Sequence, residues 1–166
     1  MVTLRRLEDT DSPQLSKLAN NINIWNSLRD YMPFPYSEAD ATAFIHNTKQ
    51  EDPQQNFGIV YKDKLCGVIG VILQSGIYRK TGEIGYWIGE PFWNKGIATQ
   101  AIGLITQYGF EELNLLRIHA GIFDFNIASL KALESNAYQK EGIFKNAIIK
   151  NEKVCNEHRY FKLTHR

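Results

Sequence analysis

The apolar residues of this chain change period several times, and that alternation restricts the fold more than any single motif does. Val2–Leu7 has the branched, apolar character of a short opening strand. Behind Asp11-Ser12-Pro13, a capping residue followed by proline at the first helical position, Leu15, Leu18, Ala19 and Ile22 recur at helical spacing. Trp25–Tyr36 breaks the pattern, because Pro33 and Pro35 bias their predecessors away from helix. Ser37-Glu38-Ala39-Asp40 then reads as a capping box, opening a helix with Ala41, Phe44 and Ile45 on its apolar stripe.

The period next shortens to that of strands. Phe57–Lys62 and Leu65–Gln74, joined by the polar Lys62-Asp63-Lys64, predict a hairpin. Glu83–Ile88 alternates, with Ile84, Tyr86 and Ile88 on one face and Glu83, Gly85 and Trp87 on the other. Helical spacing returns over Gly96–Leu113, where Ile97, Ala101, Leu104, Ile105 and Tyr108 share a face. Arg117–Phe125 reads as a strand, and Asn126–Asn136 as a short helix with Leu130 and Leu133 inward. Ile143–Leu163 reads as a last hairpin turning near Asn151-Glu152. With no repeat, linker or low-complexity segment, the expectation is an α/β fold in one domain over residues 1–166.

Composition excludes several classes of function. A formal charge of +1 argues against a nucleic-acid-coating surface. Cys66 and Cys155 form no CxxC pair, and His46, His119, His158 and His165 lack metal-ligand spacing, so no metal is expected. The opening residues turn acidic where a signal peptide turns apolar, and the longest apolar run, Val68–Leu73, is too short to cross a bilayer. Reduced thiols and no membrane segment place the expected protein in the cytoplasm.

The most informative stretch is Gly82–Thr99: a strand, a short irregular loop, and a helix opening at a glycine and small residues. The first turn of such a helix presents unpaired amides at its positive end, and small side chains let a phosphate approach. Lys95 adds a point charge. An ordinary strand–helix turn uses the same residues, so spacing alone leaves both readings open. Neither a Walker loop nor the dinucleotide GxGxxG spacing is present.

Glu83-Ile84-Gly85-Tyr86-Trp87-Ile88 with Trp93-Asn94-Lys95-Gly96-Ile97-Ala98-Thr99 resembles the signature of GNAT N-acetyltransferases. Arg117–Phe123, Asn126-Ile127-Ala128-Ser129 and Glu141-Gly142-Ile143 extend the resemblance to the ribosomal-protein alanine/serine N-terminal acetyltransferases, the RimJ/RimL-like branch. It implies a twisted mixed sheet of about six or seven strands, splayed between the fourth and fifth, with about four flanking helices. It also implies acetyl transfer from acetyl-CoA to an amine. The backbone of Tyr86, Trp87 and Ile88 would pair with pantetheine, Trp93 and Asn94–Thr99 would hold the pyrophosphate, and Asn126 would meet the pantetheine arm.

Direct attack of an amine on a thioester needs a neutral amine, donors for the developing oxyanion and a proton for the thiolate. Backbone N–H groups near Trp87 and Ile88 are the oxyanion candidates. Glu83, a charge on an otherwise apolar strand, is the candidate base; the alternative is a solvated or arginine-held strand carboxylate. The tyrosine that many relatives use to protonate the thiolate is replaced here by Leu133, and the resemblance offers Ser129 instead. Near a helix start, serine also serves as a backbone-bonding residue. Tyr138 reads as core, and His119 as a packed or surface strand residue.

The acceptor, a protein N-terminal α-amine or a small-molecule amine, is expected along the aromatic segment. Trp25, Arg29, Tyr31, Phe34 and Tyr36 are the candidates there, with Asp30 beside them. A module that binds acetyl-CoA without catalysis is the remaining alternative. No nucleic-acid or membrane partner is expected, and a monomer and a homodimer both fit the sequence.

Overall fold

The computed structural model describes residues 1–164. The strands are β1 (Val2–Arg5), β2 (Asn56–Tyr61), β3 (Lys64–Leu73), β4 (Thr81–Ile88), β5 (Arg117–Phe123), β6 (Gln139–Lys150) and β7 (Lys153–Leu163). The helices are α1 (Ser12–Ala19), α2 (Ile22–Trp25), α3 (Glu38–Lys49), α4 (Ile97–Glu111) and α5 (Ile127–Glu134). The seven strands form one mixed sheet in the order β1-β2-β3-β4-β5-β7-β6. β4 and β5 run parallel, while β5–β7 and β6–β7 are antiparallel.

Two tight turns set the hairpin registers. Lys62 and Asp63 both have positive φ (49° and 60°), as a two-residue turn matched to strand twist requires, and they leave Tyr61 opposite Lys64. Asn151 and Glu152 (51° and 61°) do the same for the last hairpin, with Lys150 opposite Lys153. The Ser37 capping box is present: the Ser37 hydroxyl accepts from the Asp40 amide at 3.1 Å, and the Asp40 carboxylate accepts from the Ser37 amide at 2.8 Å.

The chain divides into two compact units. The first comprises Met1–Gly70 and Tyr86–Ala101. Leu7, Leu15, Ala19, Tyr36, Ala41, Ile45, Leu65 and Val68 form its apolar cluster, with Met32, Phe44 and Trp87 against it. The second comprises Val71–Gly85 and the chain from Ile102. Its interior includes Ile102, Ile105, Leu115, Ile118, Leu133, Tyr138 and Tyr160.

Three local expectations are corrected. Asp11 does not cap α1; its carboxylate is taken by the Arg5 guanidinium (2.7 Å to each oxygen) and the Glu8 amide (2.8 Å). Ile22 is not on the buried face of α1, because that helix ends at Ala19 and the Asn21 side chain caps a new one. The restart resets the helical phase, which exposes Ile22 and buries Ile24. On α4 the buried side runs through Ala101, Ile102 and Ile105, leaving Leu104 exposed. Gly109 sets one close approach of that helix: a Cβ there would lie 2.7 Å from the Ile118 side chain of β5.

Candidate active site

In the first unit, β4 leads through Gly89 and a 3-10 turn at Glu90–Phe92 into the loop that opens α4. Gly67 lets β3 and β4 approach closely, since a Cβ there would stand 2.2 Å from the Trp87 carbonyl oxygen. The Gly89 amide donates to the Cys66 carbonyl at 2.7 Å. The Trp93 indole donates to the Ile88 carbonyl at 2.7 Å, which closes the loop onto the end of β4. Glu90 is tied to the start of α2 by the side-chain amides of Asn21 (2.6 Å) and Asn23 (3.1 Å), and those bonds lower its pKa.

Asn94 and Gly96 both take positive φ (59° and 69°), so the chain coils sharply before Ile97. A Cβ on Gly96 would meet nothing within 4 Å, so the space over this turn is open. The amides of Ile97 and Ala98 lie in the first turn of α4, where no helix carbonyl precedes them. That is a cradle suited to a diphosphate. Lys95, by contrast, folds back: its ammonium donates to the Pro91 carbonyl at 2.7 Å and sits 5.4 Å over the Phe92 ring.

The aromatic segment between α2 and α3 folds on itself. The Trp25 indole donates to the Met32 carbonyl at 2.9 Å, and its ring lies 5.9 Å from that of Phe34. Tyr36 is in the apolar cluster, where burial pushes its hydroxyl up to about 12. Arg29, Tyr31 and Phe34 are exposed, as are Asp30 and both prolines.

In the second unit, β4 and β5 pair as Thr81/Arg117, Gly82/Ile118 and Glu83/His119, and both strands continue past that last pair. Glu83 and His119 are therefore neighbours on one face. Burial lowers the His119 pKa; Glu83 and Glu141 pull it up, and Arg159 and Arg117 push it further down. Next to Glu83, Gly85 is exposed, and a Cβ on it would meet nothing within 4 Å. Asn126 caps α5, its side-chain oxygen accepting from the Ser129 amide at 3.3 Å. Ser129 is 9% exposed, and its hydroxyl makes no hydrogen bond among the described residues. Leu133 is fully buried, and Tyr138 is in the interior with its hydroxyl 2.7 Å from that of Thr106.

Residues 1–139 match the acetyltransferase (GNAT) domain family. The chain belongs to the GNAT family. It is an N-acetyltransferase, and acetyl-CoA is its acyl donor. Among GNAT relatives, an uncharacterised N-acetyltransferase, p20 of Bacillus licheniformis, is 32% identical over 151 residues (87% of this chain, 83% of that one). A putative ribosomal N-acetyltransferase, YdaF of Bacillus subtilis (strain 168), is 29% identical over 157 residues (90% and 84%). The solved structure of the microcin C7 self-immunity acetyltransferase MccE, in complex with acetyl-CoA and AMP, superposes with a TM-score of 0.83 at 27% identity (98% and 92% covered).

The residues that carry the GNAT resemblance divide between the units: Tyr86–Thr99 lie in the first, and Glu83, Asn126 and Ser129 in the second. Of the four histidines, His165 lies outside the described residues. Glu157 and Arg159 of β7, which the sequence did not single out, stand beside His119. The Arg159 guanidinium donates to one Glu157 oxygen at 2.7 and 3.2 Å, and it lies 3.5 Å from His119 Nδ1. The available signal was Gly121, a glycine inside a strand, which marks a close approach.

Proposed function

We propose that this N-acetyltransferase acetylates a protein N-terminal α-amine by direct attack, with Glu83 as base and Ser129 as proton donor. Acetyl-CoA supplies the activated acetyl thioester. Tyr86, Trp87 and Ile88 hold pantetheine through their backbone, Trp93 and the Asn94–Thr99 turn hold the diphosphate, and Asn126 meets the pantetheine arm. Amides near Trp87 and Ile88 stabilise the oxyanion, and Arg29, Tyr31 and Phe34 meet the acceptor.

The observation that carries this reading is the Ser129 hydroxyl. It sits at the start of α5 with no partner among the described residues, where Leu133 has replaced the tyrosine many relatives use. A hydroxyl with unused bonding capacity is suited to donate to a departing sulfur. The similarity to YdaF, a putative ribosomal N-acetyltransferase, supports a protein acceptor. An α-amino group with a pKa of about 7.7–8.0 needs far less help from a base than a lysine at about 10.4.

Thiol release from acetyl-CoA tests the proposal, using short peptides varied at residue one, polyamines and aminoglycosides, with product masses checked. Turnover on peptides, reduced in Ser129→Ala, is the expected result. Turnover confined to polyamines or aminoglycosides would replace the N-terminal acceptor with a small-molecule one. Among the described residues no helix is long and apolar enough to cross a membrane. The buried, hard-to-ionise Cys66 fits a cytoplasmic location.

A further inference from the structure

Glu83 and His119 form the last pair of the parallel β4–β5 ladder, so a carboxylate and an imidazole stand side by side on one face. Either type of group can take a proton from an attacking amine, and an unperturbed imidazole is the better matched to neutral pH. The neighbours of the ring decide its state.

The Arg159 guanidinium lies 3.5 Å from His119 Nδ1. That separation is long for a hydrogen bond, yet it fixes the polarity of the ring. A guanidinium carries five N–H donors and no acceptor, so a proton on Nδ1 would set donor against donor. The lone pair therefore belongs on Nδ1, and the single ring proton on Nε2. A second proton is opposed as well. The ring is half-buried, and burial opposes the charge most; Arg159 and Arg117 add to that, against the pull of Glu83 and Glu141.

Arg159 is itself held in place. Its Nε–H and Nη2–H donate to Glu157 Oε1 at 3.2 and 2.7 Å, and the guanidinium carbon lies 4.8 Å from the centre of the Phe144 ring on β6. The Glu157 carboxylate occupies the space that Gly121 leaves, since a Cβ there would lie 2.6 Å from its carboxyl carbon. β6 and β7 thus keep this cation at the Nδ1 side of the imidazole. Arg117, by contrast, is paired with Glu141.

We propose that Arg159 is a positioning residue that holds His119 as the neutral Nε2–H tautomer, leaving Glu83 as the one base for the acceptor amine. The inference rests on the acetyltransferase reading with Glu83 as base and deepens it. With its lone pair turned to a guanidinium, His119 is removed as a rival base. Because it stays uncharged, it also does not pair with Glu83 as an imidazolium beside it would.

Nitrogen magnetic resonance of 15N-histidine-labelled protein reads the ring directly, with the His119 signals assigned by their absence in His119→Gln. At pH 7 the wild type should show a protonated Nε2 and an unprotonated Nδ1, with a titration midpoint below the ordinary value of about 6.5. In Arg159→Met that midpoint should move up, because a charge that opposes protonation is gone. Melting curves confirm that the variants are folded, and the wild-type tautomer is decisive even where Arg159→Met is not. A proton on Nδ1 in the wild type, or an unmoved midpoint in folded Arg159→Met, overturns the proposal. Rates give the second readout. Relative to the wild type, Arg159→Met should lose about threefold more of its kcat between pH 8 and pH 6, as a histidine of ordinary pKa charges. That loss should vanish in the Arg159→Met/His119→Gln double variant; its persistence there counts against the proposal. Full activity in Glu83→Gln would sink the base reading and the catalytic half of the proposal, whereas the spectra judge the Arg159–His119 half on their own.

Discussion

Single residues in this protein owe their chemistry to one or two neighbours each. Cys66 is fully buried, its thiol 3.2 Å from the Ile59 carbonyl, and burial pushes its pKa up to about 11. A thiol reagent at pH 8 should therefore modify Cys155 in the native protein and reach Cys66 only after denaturant is added. Asp11 shows opposing influences. Burial pushes its pKa up, while the Arg5 hydrogen bonds, the Glu8 amide and the Arg5 charge outweigh that and bring it down. A carboxyl with a lowered folded pKa contributes stability that is present above its unfolded value of about 3.9 and is lost as pH falls through the folded one. Urea midpoints should drop in that acidic window, and Asp11→Asn should remove that part of the drop. Ser129→Ala should lower kcat by about tenfold or more with CoA affinity kept, measured by steady-state rates and calorimetry.

Elements are where glycines decide what two strands or a turn can do. At Gly67 an added methyl would press on backbone, 2.2 Å from the Trp87 oxygen and 3.0 Å from Ile88 Cα. Gly67→Ala should cost about 3 kcal/mol and lower the melting temperature by roughly 6–12 °C. Gly96 poses a different problem, because its surroundings are open but its φ is +69°. Gly96→Ala should cost only about 1–2 kcal/mol of stability. It should weaken CoA binding by more than that strain explains, because the methyl enters the space over the α4 turn; calorimetry with CoA separates the two effects.

Across the whole chain, most elements were legible because their signals are local. The Ser37-to-Asp40 box, the Lys62-Asp63 turn and the alternation along β4 each lie within a few residues, and each formed as its chemistry requires. The misreadings came where a distant or unseen partner decided the outcome. Arg5 drew Asp11 away from capping, and the Asn21 cap reset the helical phase so that Ile22 faced outward.

The candidate site divides in the same way. The run from Glu83 to Thr99 and the Asn126–Ser129 turn carry their identity in short spacings, so the sequence by itself determined the family and the acyl donor. Tertiary structure alone decided that Ser129 keeps an unused hydroxyl. It alone set the Glu157 carboxylate on Gly121. Those outcomes depend on strand register and on competition among donors and acceptors far apart in the chain, which no local pattern of residues encodes.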